Sequence, residues 1–561
     1  MVEVLLGVSV FSLLVTVFVG AYIYGRESSL LAGHRGRAAL VAEEAMEGVR
    51  SIRDGSFVDL TAGDHGVLPI GGQWQFFGTS VLNDIFTQQV TINDVSPTAK
   101  SAVAQATWTQ NLQRPGSVSL STRLTDWRRT VRRGGMLIYG DYSGNDDVIQ
   151  YRLFSRAGTW GAVQTVPDFG VPLHRPTRRV ELYSNPSSRD EKVLVTKHFG
   201  GGAGDDLYLY AQVWNGTTWG NATQLATRKD TNFPSSREFD GDYLDDGRFL
   251  LVYGDDTRIP KFRFWDGTAW SSAAPTVDIR GRPVWIVVRS RSGTNEAMVV
   301  ILDDQRDTNT IYWNGSSWLG PVEHGNNGPG AEFDMVNFVW RPTNPTLGAL
   351  VYNEGNDNHP NIKVWDNGIW GPSVENINLG KSIRAMQTTS DPTSGDWLLG
   401  VKDNGDRINS LLSDTTPSWH TLTNGQLAVK TDNGPQRSFS LAFETNAGQR
   451  AIAVYADGPN ADALGIPKYR TYDPATKTWG AAGNLADLGG RAAALESVGL
   501  IPDPGGEDIM TLMATTNQQL WTVRWNGATH AFYSTGDEAQ IRQATNGSSD
   551  EDFWFDYAWD N

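Results

Sequence analysis

The sequence predicts an α+β region at the N-terminus followed by an all-β propeller. Three observations predict this architecture: a long uncharged apolar segment that continues as an amphipathic helix, a short stretch of alternating strands, and a tryptophan-containing motif that recurs roughly every 53 residues. We therefore divide the chain into a long hydrophobic and amphipathic helix (residues 1–57), a small antiparallel sheet (58–130) and a propeller (131–561).

The composition supports many short strands and excludes several kinds of site. The chain has 561 residues, with 60 glycines, 21 tryptophans and no cysteine. The absence of cysteine excludes disulfides, thiolate metal ligands and cysteine nucleophiles. The formal net charge of −16 argues against binding to nucleic acid through charge.

The N-terminal helix is predicted from an apolar run and the periodicity that follows it. Residues 4–24 contain no charged side chain, and at 1.5 Å per residue they span about 31 Å, enough to cross a bilayer core. Apolar residues then recur at three- and four-residue steps as far as Ile52, and Asp54-Gly55 is the predicted end of the helix. The second half therefore has one apolar face.

The charges around the apolar run allow alternative interpretations. Arg26, Arg35 and Arg37 follow it, and by the positive-inside rule they would hold this end of the helix in the cytoplasm. Glu3 precedes it and either lies among lipid headgroups or pairs with a cation of a neighbouring subunit, such as an α-amino group. The residues alone favour the first interpretation of Glu3 slightly.

The N-terminal segment MVEVLLGVSVFSLLVTVFVGAY, with the continuation ending in VRSIRDGSFVDL, resembles the helix of type IV pilins and pseudopilins. This resemblance implies that the head is exported, that the first residue of the mature chain is methylated, and that Glu3 meets the amine of the adjacent subunit. It overrides the orientation suggested by Arg26. The family normally has two more residues before Met1-Val2-Glu3, which leaves the mature first residue open. The implied assembly residues are Met1, Glu3, Leu5, Leu6, Phe11, Leu14 and Phe18.

The small sheet is predicted from alternating segments. A turn-rich passage over residues 59–76 precedes strand-like runs at residues 86–92, 102–110 and 117–124. Three or four antiparallel strands of this kind can cover the apolar face of the helix. The segment TWTQ…SVSLSTRLTDW is similar to the last strands of pilin-like proteins, so the resemblance extends over residues 1–130.

The remaining residues consist of repeats that predict propeller blades. An Asn-Gly or Asp-Gly turn between aromatic residues predicts a tight hairpin in which both turn residues have positive φ. The second aromatic position, or its equivalent, falls at Trp160, Trp219, Trp270, Trp318, Trp370, Trp419, Trp479 and His530. A period near 50 residues is typical of four-stranded propeller blades. We predict eight blades, with seven as the alternative.

Ring closure is predicted from the last residues of the chain. The strand beginning at Met136 has no partner strand just before it, whereas residues 552–559 (DFWFDYAW) resemble MVNFVWRP and have no repeat after them. The C-terminal strand is therefore predicted to complete the blade that begins at Met136, which also removes exposed sheet edges.

Acidic turns follow the second strands of the predicted blades. They predict an acidic face that binds Ca²⁺ or a cationic or hydroxylated ligand, although solvated turns favour the same residue types and are the more frequent explanation. A calcium loop at residues 240–247 (DGDYLDDG) is weakly indicated, because it lacks the terminal glutamate of an EF-hand. The acidic ligand face comprises Asp141, Asp147, Asp206, Asp255, Asp304, Asp357, Asp406 and Asp462.

Catalytic motifs are not found. The WNGTTW turn resembles the Asp-box hairpins of sialidases, but no carboxylate pair departs from the repeat pattern as a glycosidase requires. The sequence contains no GxSxG, P-loop or HExxH motif. We therefore predict that the chain is not an enzyme.

The favoured function is that of a structural subunit in an extracellular filament resembling type IV pili. Before assembly the chain would lie in the cytoplasmic membrane and contact the pilus assembly machinery; it would then polymerise with copies of itself and display the propeller for adhesion to a glycan or protein. No cofactor is predicted apart from the weakly indicated Ca²⁺. The alternative is a membrane-tethered propeller that binds or hydrolyses surface glycans without polymerising.

Overall fold

The structure is a computed structural model of the whole chain. It describes residues 1–561 except 56, 97–98, 110–114, 126–132, 141–146, 188–189, 200–205, 230–235, 327–333, 356, 415–417, 435, 446–449, 459–464, 486–493, 534–538, 543–553 and 561. The contacts divide the chain into two compact units, Met1–Thr130 and Val131–Asn561.

The first unit contains a single long helix and an antiparallel sheet within its described residues. The helix α1 is Val2–Gly55, which at 1.5 Å per residue is about 81 Å long, and a 3₁₀ turn follows at Phe57–Asp59. The strands are β1 (Gly63–Ile70), β2 (Gln73–Phe77), β3 (Val81–Asn83), β4 (Phe86–Ser96), β5 (Ala99–Thr109) and β6 (Pro115–Thr125). Their order is β2-β1-β4-β5-β6, with β3 also paired to β4.

The passage predicted to be turn-rich forms two strands. The hairpin of β1 and β2 turns at Gly71-Gly72, where both residues have positive φ, and the first three residues of β1 pair with β4. The prediction missed these strands because β1 contains glycine and proline, which have low strand propensity, and pairing with β4 compensates for it.

The helix and the sheet share one core, and only the second half of the helix contributes to it. Its buried residues recur every three or four positions and are mostly small, which lets the helix lie close to the sheet. The helix residues of the core are Ala38, Ala42, Ala45, Met46, Val49 and Ile52, and the sheet residues include Val67, Val90, Ala104, Ala106 and Trp108.

The second unit consists of short antiparallel strands. In its first half they are β7 (Gly135–Gly140), β8 (Ile149–Phe154), β9 (Gln164–Thr165), β10 (Thr177–Ser184), β11 (Glu191–Phe199), β12 (Asp206–Asn215), β13 (Thr223–Lys229), β14 (Phe239–Tyr243), β15 (Phe249–Tyr253), β16 (Lys261–Trp265), β17 (Ala274–Pro275), β18 (Pro283–Ser290), β19 (Ala297–Asp303), β20 (Thr308–Trp313) and β21 (Trp318–Gly325). A 3₁₀ turn, Pro172–His174, precedes β10.

The second half of this unit repeats the same pattern. Its strands are β22 (Val336–Trp340), β23 (Leu347–Tyr352), β24 (Asn361–Asp366), β25 (Ile369–Trp370), β26 (Ile383–Ser390), β27 (Trp397–Asp403), β28 (Ile408–Ser413), β29 (His420–Ala428), β30 (Phe439–Phe443), β31 (Ala451–Tyr455), β32 (Lys468–Asp473), β33 (Thr478–Trp479), β34 (Gly483–Asn484), β35 (Leu495–Pro502), β36 (Ile509–Thr515), β37 (Leu520–Asn526), β38 (Ala531–Phe532), β39 (Ala539–Arg542) and β40 (Phe555–Trp559).

These strands form propeller-like sheets in which most strands pair with the next along the chain, while β34 pairs with β32 and β39 pairs with β37. We number them sheet I (β40-β7-β8-β9), II (β10–β13), III (β14–β17), IV (β18–β21), V (β22–β25), VI (β26–β29), VII (β30–β34) and VIII (β35–β39). A single parallel bridge between Thr423 and Thr478 connects sheets VI and VII. A long N-terminal helix followed by propeller-like sheets is therefore confirmed.

The innermost strands of successive sheets lie beside one another. The contacts run through β10, β14, β18, β22, β26, β30 and β35, and β40 contacts both β35 and β10. β40 also pairs with β7, from Phe555 opposite Tyr139 to Trp559 opposite Gly135, which is the pairing expected from ring closure.

The predicted geometry of the aromatic hairpins is wrong in most cases. Only Asn367-Gly368 has two residues with positive φ; at Asn215-Gly216 only the glycine does. The Asn215 side chain instead accepts hydrogen bonds from the backbone N–H groups of Thr217 (3.0 Å) and Thr218 (2.9 Å). A side-chain cap of this kind satisfies the turn without a second left-handed residue.

Candidate functional site

The first candidate surface is the N-terminal half of α1. Within the described chain, every residue from Met1 to Gly25 is exposed, and this segment is long and apolar enough to cross a membrane. The predicted assembly residues are all on this surface. They are Met1, Glu3, Leu5, Leu6, Phe11, Leu14 and Phe18.

Several of these residues share one side of the helix. Glu3 and Leu14 are eleven residues apart, about three turns, and Phe18 follows Leu14 by about one turn, so all three project in a similar direction. The side chains of Leu14 and Phe18 are 49% and 71% exposed. Side chains this apolar require a cover, which in principle is lipid or protein.

The second candidate is the predicted acidic face. Each of these carboxylates that lies in the described chain follows the second strand of a sheet and therefore comes at the same point of the repeat. Asp147, Asp206, Asp255, Asp304, Asp357 and Asp406 are described, whereas Asp141 and Asp462 lie outside the described residues.

Local partners occupy the acidic turns. Asp304 accepts hydrogen bonds from the Arg282 backbone at 2.9 Å and from its guanidinium at 2.8 Å. Burial acts to raise the pKa of Asp304, but these hydrogen bonds outweigh it and hold the pKa below its ordinary value. Asp406 is buried and pairs with Arg384 and Lys430.

The other described members of this face also bind to neighbouring groups, and Asp147 contacts the His174 ring at 3.2 Å. Asp255 accepts a hydrogen bond from the Thr257 hydroxyl at 2.6 Å, and Asp357 contacts the His359 ring at 2.6 Å. Among the residues that the structure describes, no three His, Asp or Glu side chains come together in a way that could hold a metal ion. The face is thus a set of separate turns, each with its own hydrogen bonds.

The DGDYLDDG segment does not form one ligand loop. Asp240 is buried and accepts a hydrogen bond from Arg237 at 2.6 Å, while Asp242 accepts one from the Ser290 hydroxyl at 2.9 Å. Asp246 pairs with Arg248 in the following turn. Because these carboxylates bind to different partners, they do not converge on one point.

The third candidate is a cavity of about 230 Å³ between the innermost strands. Its lining is rich in charge, and its guanidinium groups come from sheets II and IV and from the segments just before sheets III and VII. The charged residues of the lining are Arg179, Arg237, Arg289, Arg437, Glu181, Asp334 and Asp556.

A network of ion pairs connects these groups. Oε1 of Glu181 lies 2.9 Å from Nε of Arg179 and 3.0 Å from Nε of Arg237. Nη1 of Arg437 lies 2.8 Å from Oδ2 of Asp334. Asp240, directly behind the lining, contacts both Arg237 and Arg289. Charges removed from water require such close partners to be tolerated.

Polar side chains of the same strands connect adjacent sheets. Asp556 accepts a hydrogen bond from the Leu182 backbone N–H at 2.7 Å, and Asp240 accepts one from the Val288 N–H at 2.8 Å. Oε1 of Gln387 accepts a hydrogen bond from the Leu441 backbone N–H at 2.9 Å. A polar side chain of one innermost strand thus fixes that strand to the innermost strand of an adjacent sheet.

The sequence analysis did not single out this central cluster. One signal was present, because Asp556 is a charged residue inside the strand-like run DFWFDYAW, where apolar residues were expected on a core strand. The four arginines lie in different sequence contexts, and only the ring arrangement of the strands brings them together.

Comparisons with known proteins support the propeller fold alone. No protein family matches the chain, and no curated protein matches it either. Among solved structures it is similar to the dihydro-heme d1 dehydrogenase NirN (TM-score 0.44, 12% identity, 73% of this chain and 74% of that chain). It is also similar to the periplasmic gluconolactonase of Pseudomonas aeruginosa (TM-score 0.37, 12% identity, 62% of this chain and 95% of that chain). A third similar structure is the propeller domain of the Trilobed protease of Pyrococcus furiosus (TM-score 0.36, 10% identity, 66% of this chain and 100% of that chain).

These similarities correct one prediction. The prediction that the chain is not an enzyme is wrong, because the propellers to which it is similar include a dehydrogenase, a gluconolactonase and a domain of a protease. A fold shared by enzymes and other proteins gives no ground for excluding catalysis.

Proposed function

We propose that the chain is a pilin-like filament subunit that polymerises through the N-terminal half of α1 and displays its propeller as a head. The observation that carries this proposal is the change in environment along one continuous helix. Residues 1–25 are exposed, whereas the same helix from Ala38 to Ile52 is anchored in the core of the sheet.

Exposure of this apolar segment to water would be strongly unfavourable. Burial of one large apolar side chain stabilises by about 1.5–3 kcal/mol. Large apolar side chains at least 43% exposed are present at Val4, Leu5, Leu6, Phe11 and many further positions of this segment. Transfer from lipid to a bundle of sister helices keeps them out of water, so packing between copies can drive assembly.

Glu3 is proposed to determine the register between subunits. An ionised carboxylate next to a hydrophobic span is unfavourable unless it is paired. The α-amino group of a neighbouring Met1 would provide the opposite charge at the same end of the helix. Such a pair forms only at one axial offset, which would select one arrangement of the helices.

The finer features of both units belong to the same proposal. We assign the sheet β1–β6 to a pilin-like head because it covers the buried face of the long helix. We assign eight blades to the propeller because eight innermost strands follow one another and β40 contacts both β35 and β10. The proposed location is an extracellular filament, reached from the cytoplasmic membrane through a pilus assembly machinery, and the head would contact a surface glycan or protein.

A tethered propeller that does not polymerise is the second candidate. The exposed segment of α1 has the length and apolarity of a single membrane span, which supports this role equally well. In this case lipid would surround the helix permanently, and Glu3 would lie among the headgroups.

Shearing of cells that produce the chain distinguishes the two candidates. We expect the chain to be the main protein of the sheared filaments, and Glu3→Ala to leave membrane insertion intact but abolish filaments. Glu44→Ala is the matched control, since Glu44 is an exposed carboxylate on the same helix, and it should assemble normally. A chain that remains monomeric in the membrane fraction would support the tethered propeller, and normal filaments from Glu3→Ala would refute the pairing.

A further inference from the structure

We propose that the central cavity of the second unit binds a small carboxylate ligand of about the size of an acidic monosaccharide. This site does not depend on whether the chain polymerises. Its volume of about 230 Å³ is room for roughly eight water molecules or a single sugar ring. The proposal follows from the balance of charges and of hydrogen-bond donors around the cavity.

Four guanidinium groups and four carboxyl groups surround the cavity, and one of the carboxyl groups has no guanidinium partner. Four guanidinium groups line it, and three carboxylates, Glu181, Asp240 and Asp334, pair with them. The fourth carboxyl group, Asp556, instead accepts backbone N–H groups from Leu182 at 2.7 Å and Tyr557 at 2.8 Å.

The net charge of the cavity therefore depends on the protonation of Asp556. Burial, with a further contribution from Glu181, raises the pKa of Asp556 to about 8. This shift favours the uncharged form of Asp556, in which the cavity carries one positive charge beyond its carboxylates. An uncompensated charge away from water is unfavourable, and a monoanionic ligand would balance it.

Polar groups that line the cavity can also donate hydrogen bonds to a ligand. In the described part of the chain, the buried hydroxyl oxygen of Thr388 has no hydrogen-bond partner. Arg289 uses one terminal nitrogen for Asp240 and the Val288 carbonyl, and its side chain is 37% exposed. Asn337 and Gln387, which also line the cavity, use their oxygens for backbone N–H groups, which leaves their amide nitrogens as donors.

This combination indicates the chemical class of the ligand. A guanidinium presents a planar pair of donors that matches a carboxylate. The amide groups and the hydroxyl beside it suit the hydroxyl groups of a sugar. A carboxylate-bearing sugar satisfies both requirements, whereas a neutral sugar leaves the charge uncompensated.

Titration calorimetry on the purified full chain in detergent tests the site, with sodium glucuronate, sodium acetate, glucose and inorganic phosphate as probes at matched ionic strength. We expect glucuronate to bind more tightly than acetate, and glucose to bind at least about ten-fold more weakly than glucuronate. Arg289→Gln should weaken glucuronate binding by a similar factor. Arg258→Gln is the matched control, because Arg258 pairs with Asp278 outside the cavity, and it should bind glucuronate normally.

Three results would overturn the proposal. The first is the absence of binding of both carboxylates at about 10 mM, well above a millimolar Kd. The second is a loss of selectivity, seen either as equal binding of glucose and glucuronate or as unchanged glucuronate binding in Arg289→Gln, whose folding is verified by its melting temperature. The third is tighter binding of phosphate than of either carboxylate, which would assign the cavity to another anion.

Discussion

Gly48 offers a sharp test of how α1 packs on its sheet. Replacement of glycine by alanine inside a helix ordinarily stabilises a protein by about 1 kcal/mol. At Gly48, however, a Cβ atom would lie 2.5 Å from Cγ1 of Val67 and 2.8 Å from Cε3 of Trp74. Both neighbours are stiff side chains, so the clash cannot be relieved by a simple rotation.

The expected magnitude follows from these distances. Overpacking of a well-packed core costs typically about 1–3 kcal/mol, and rigid neighbours place Gly48→Ala at the upper end. After subtraction of the gain in helix propensity, we expect the free energy of unfolding to fall by about 1–2 kcal/mol. Gly36→Ala is the control, since no atom lies within 4 Å of its Cβ position, and it should gain up to about 1 kcal/mol.

Thermal unfolding followed by circular dichroism at 222 nm measures both variants. The signal reports mainly on α1, because α1 is the only α-helix among the described residues. We expect the melting temperature of Gly48→Ala to lie about 5–10 °C below that of Gly36→Ala. If both substitutions raise the melting temperature equally, the close packing of helix and sheet at Gly48 is refuted.

Three further predictions concern other parts of the chain. Deletion of residues 1–25 should leave the melting temperature unchanged within about 2 °C and yield a soluble monomer in size-exclusion chromatography, because none of these residues is buried; a lower melting temperature would show that they stabilise the fold. Ending the chain before Phe555 removes the buried side chains of Phe555, Tyr557 and Trp559, each of which stabilises the fold by about 3 kcal/mol or more. The melting temperature of the propeller should therefore fall steeply, and an unchanged value would contradict closure by β40. Burial raises the pKa of Asp303 to about 7, so the stability that its protonated form provides is fully present below about pH 4 and is lost as the pH rises towards 7. Asp303→Asn should therefore flatten the dependence of the melting temperature on pH. An unaltered pH profile would argue against the raised pKa of Asp303.

The long helix and the repeated strands were predictable because they depend on local patterns. The apolar run and the three- and four-residue periodicity identified α1 as far as Gly55. The recurring hairpins identified the propeller-like sheets. The predicted strands at residues 86–92, 102–110 and 117–124 correspond to β4, β5 and β6.

Features that depend on partners distant in the sequence were harder to predict from the sequence alone. Two strands around Gly71 were missed because pairing, and not local propensity, stabilises them. The Asn215 turn was assigned the wrong geometry because its side chain caps the loop. The acidic turns looked like one surface, yet each carboxylate of this face in the described part of the chain has a partner, such as Arg282 for Asp304.

By itself the sequence determined the long helix, most of the strand segments, how often the strands repeat, and that the first helix bears an uncharged apolar half. Periodic hydrophobicity carries this information because burial acts residue by residue along each element. Only the tertiary structure decided which charges meet. Arg179, Arg237, Arg289 and Arg437 are far apart in the sequence and converge because the innermost strands lie side by side around one cavity. Electrostatic interactions depend on distance in space, and the order of residues along the chain does not record that distance.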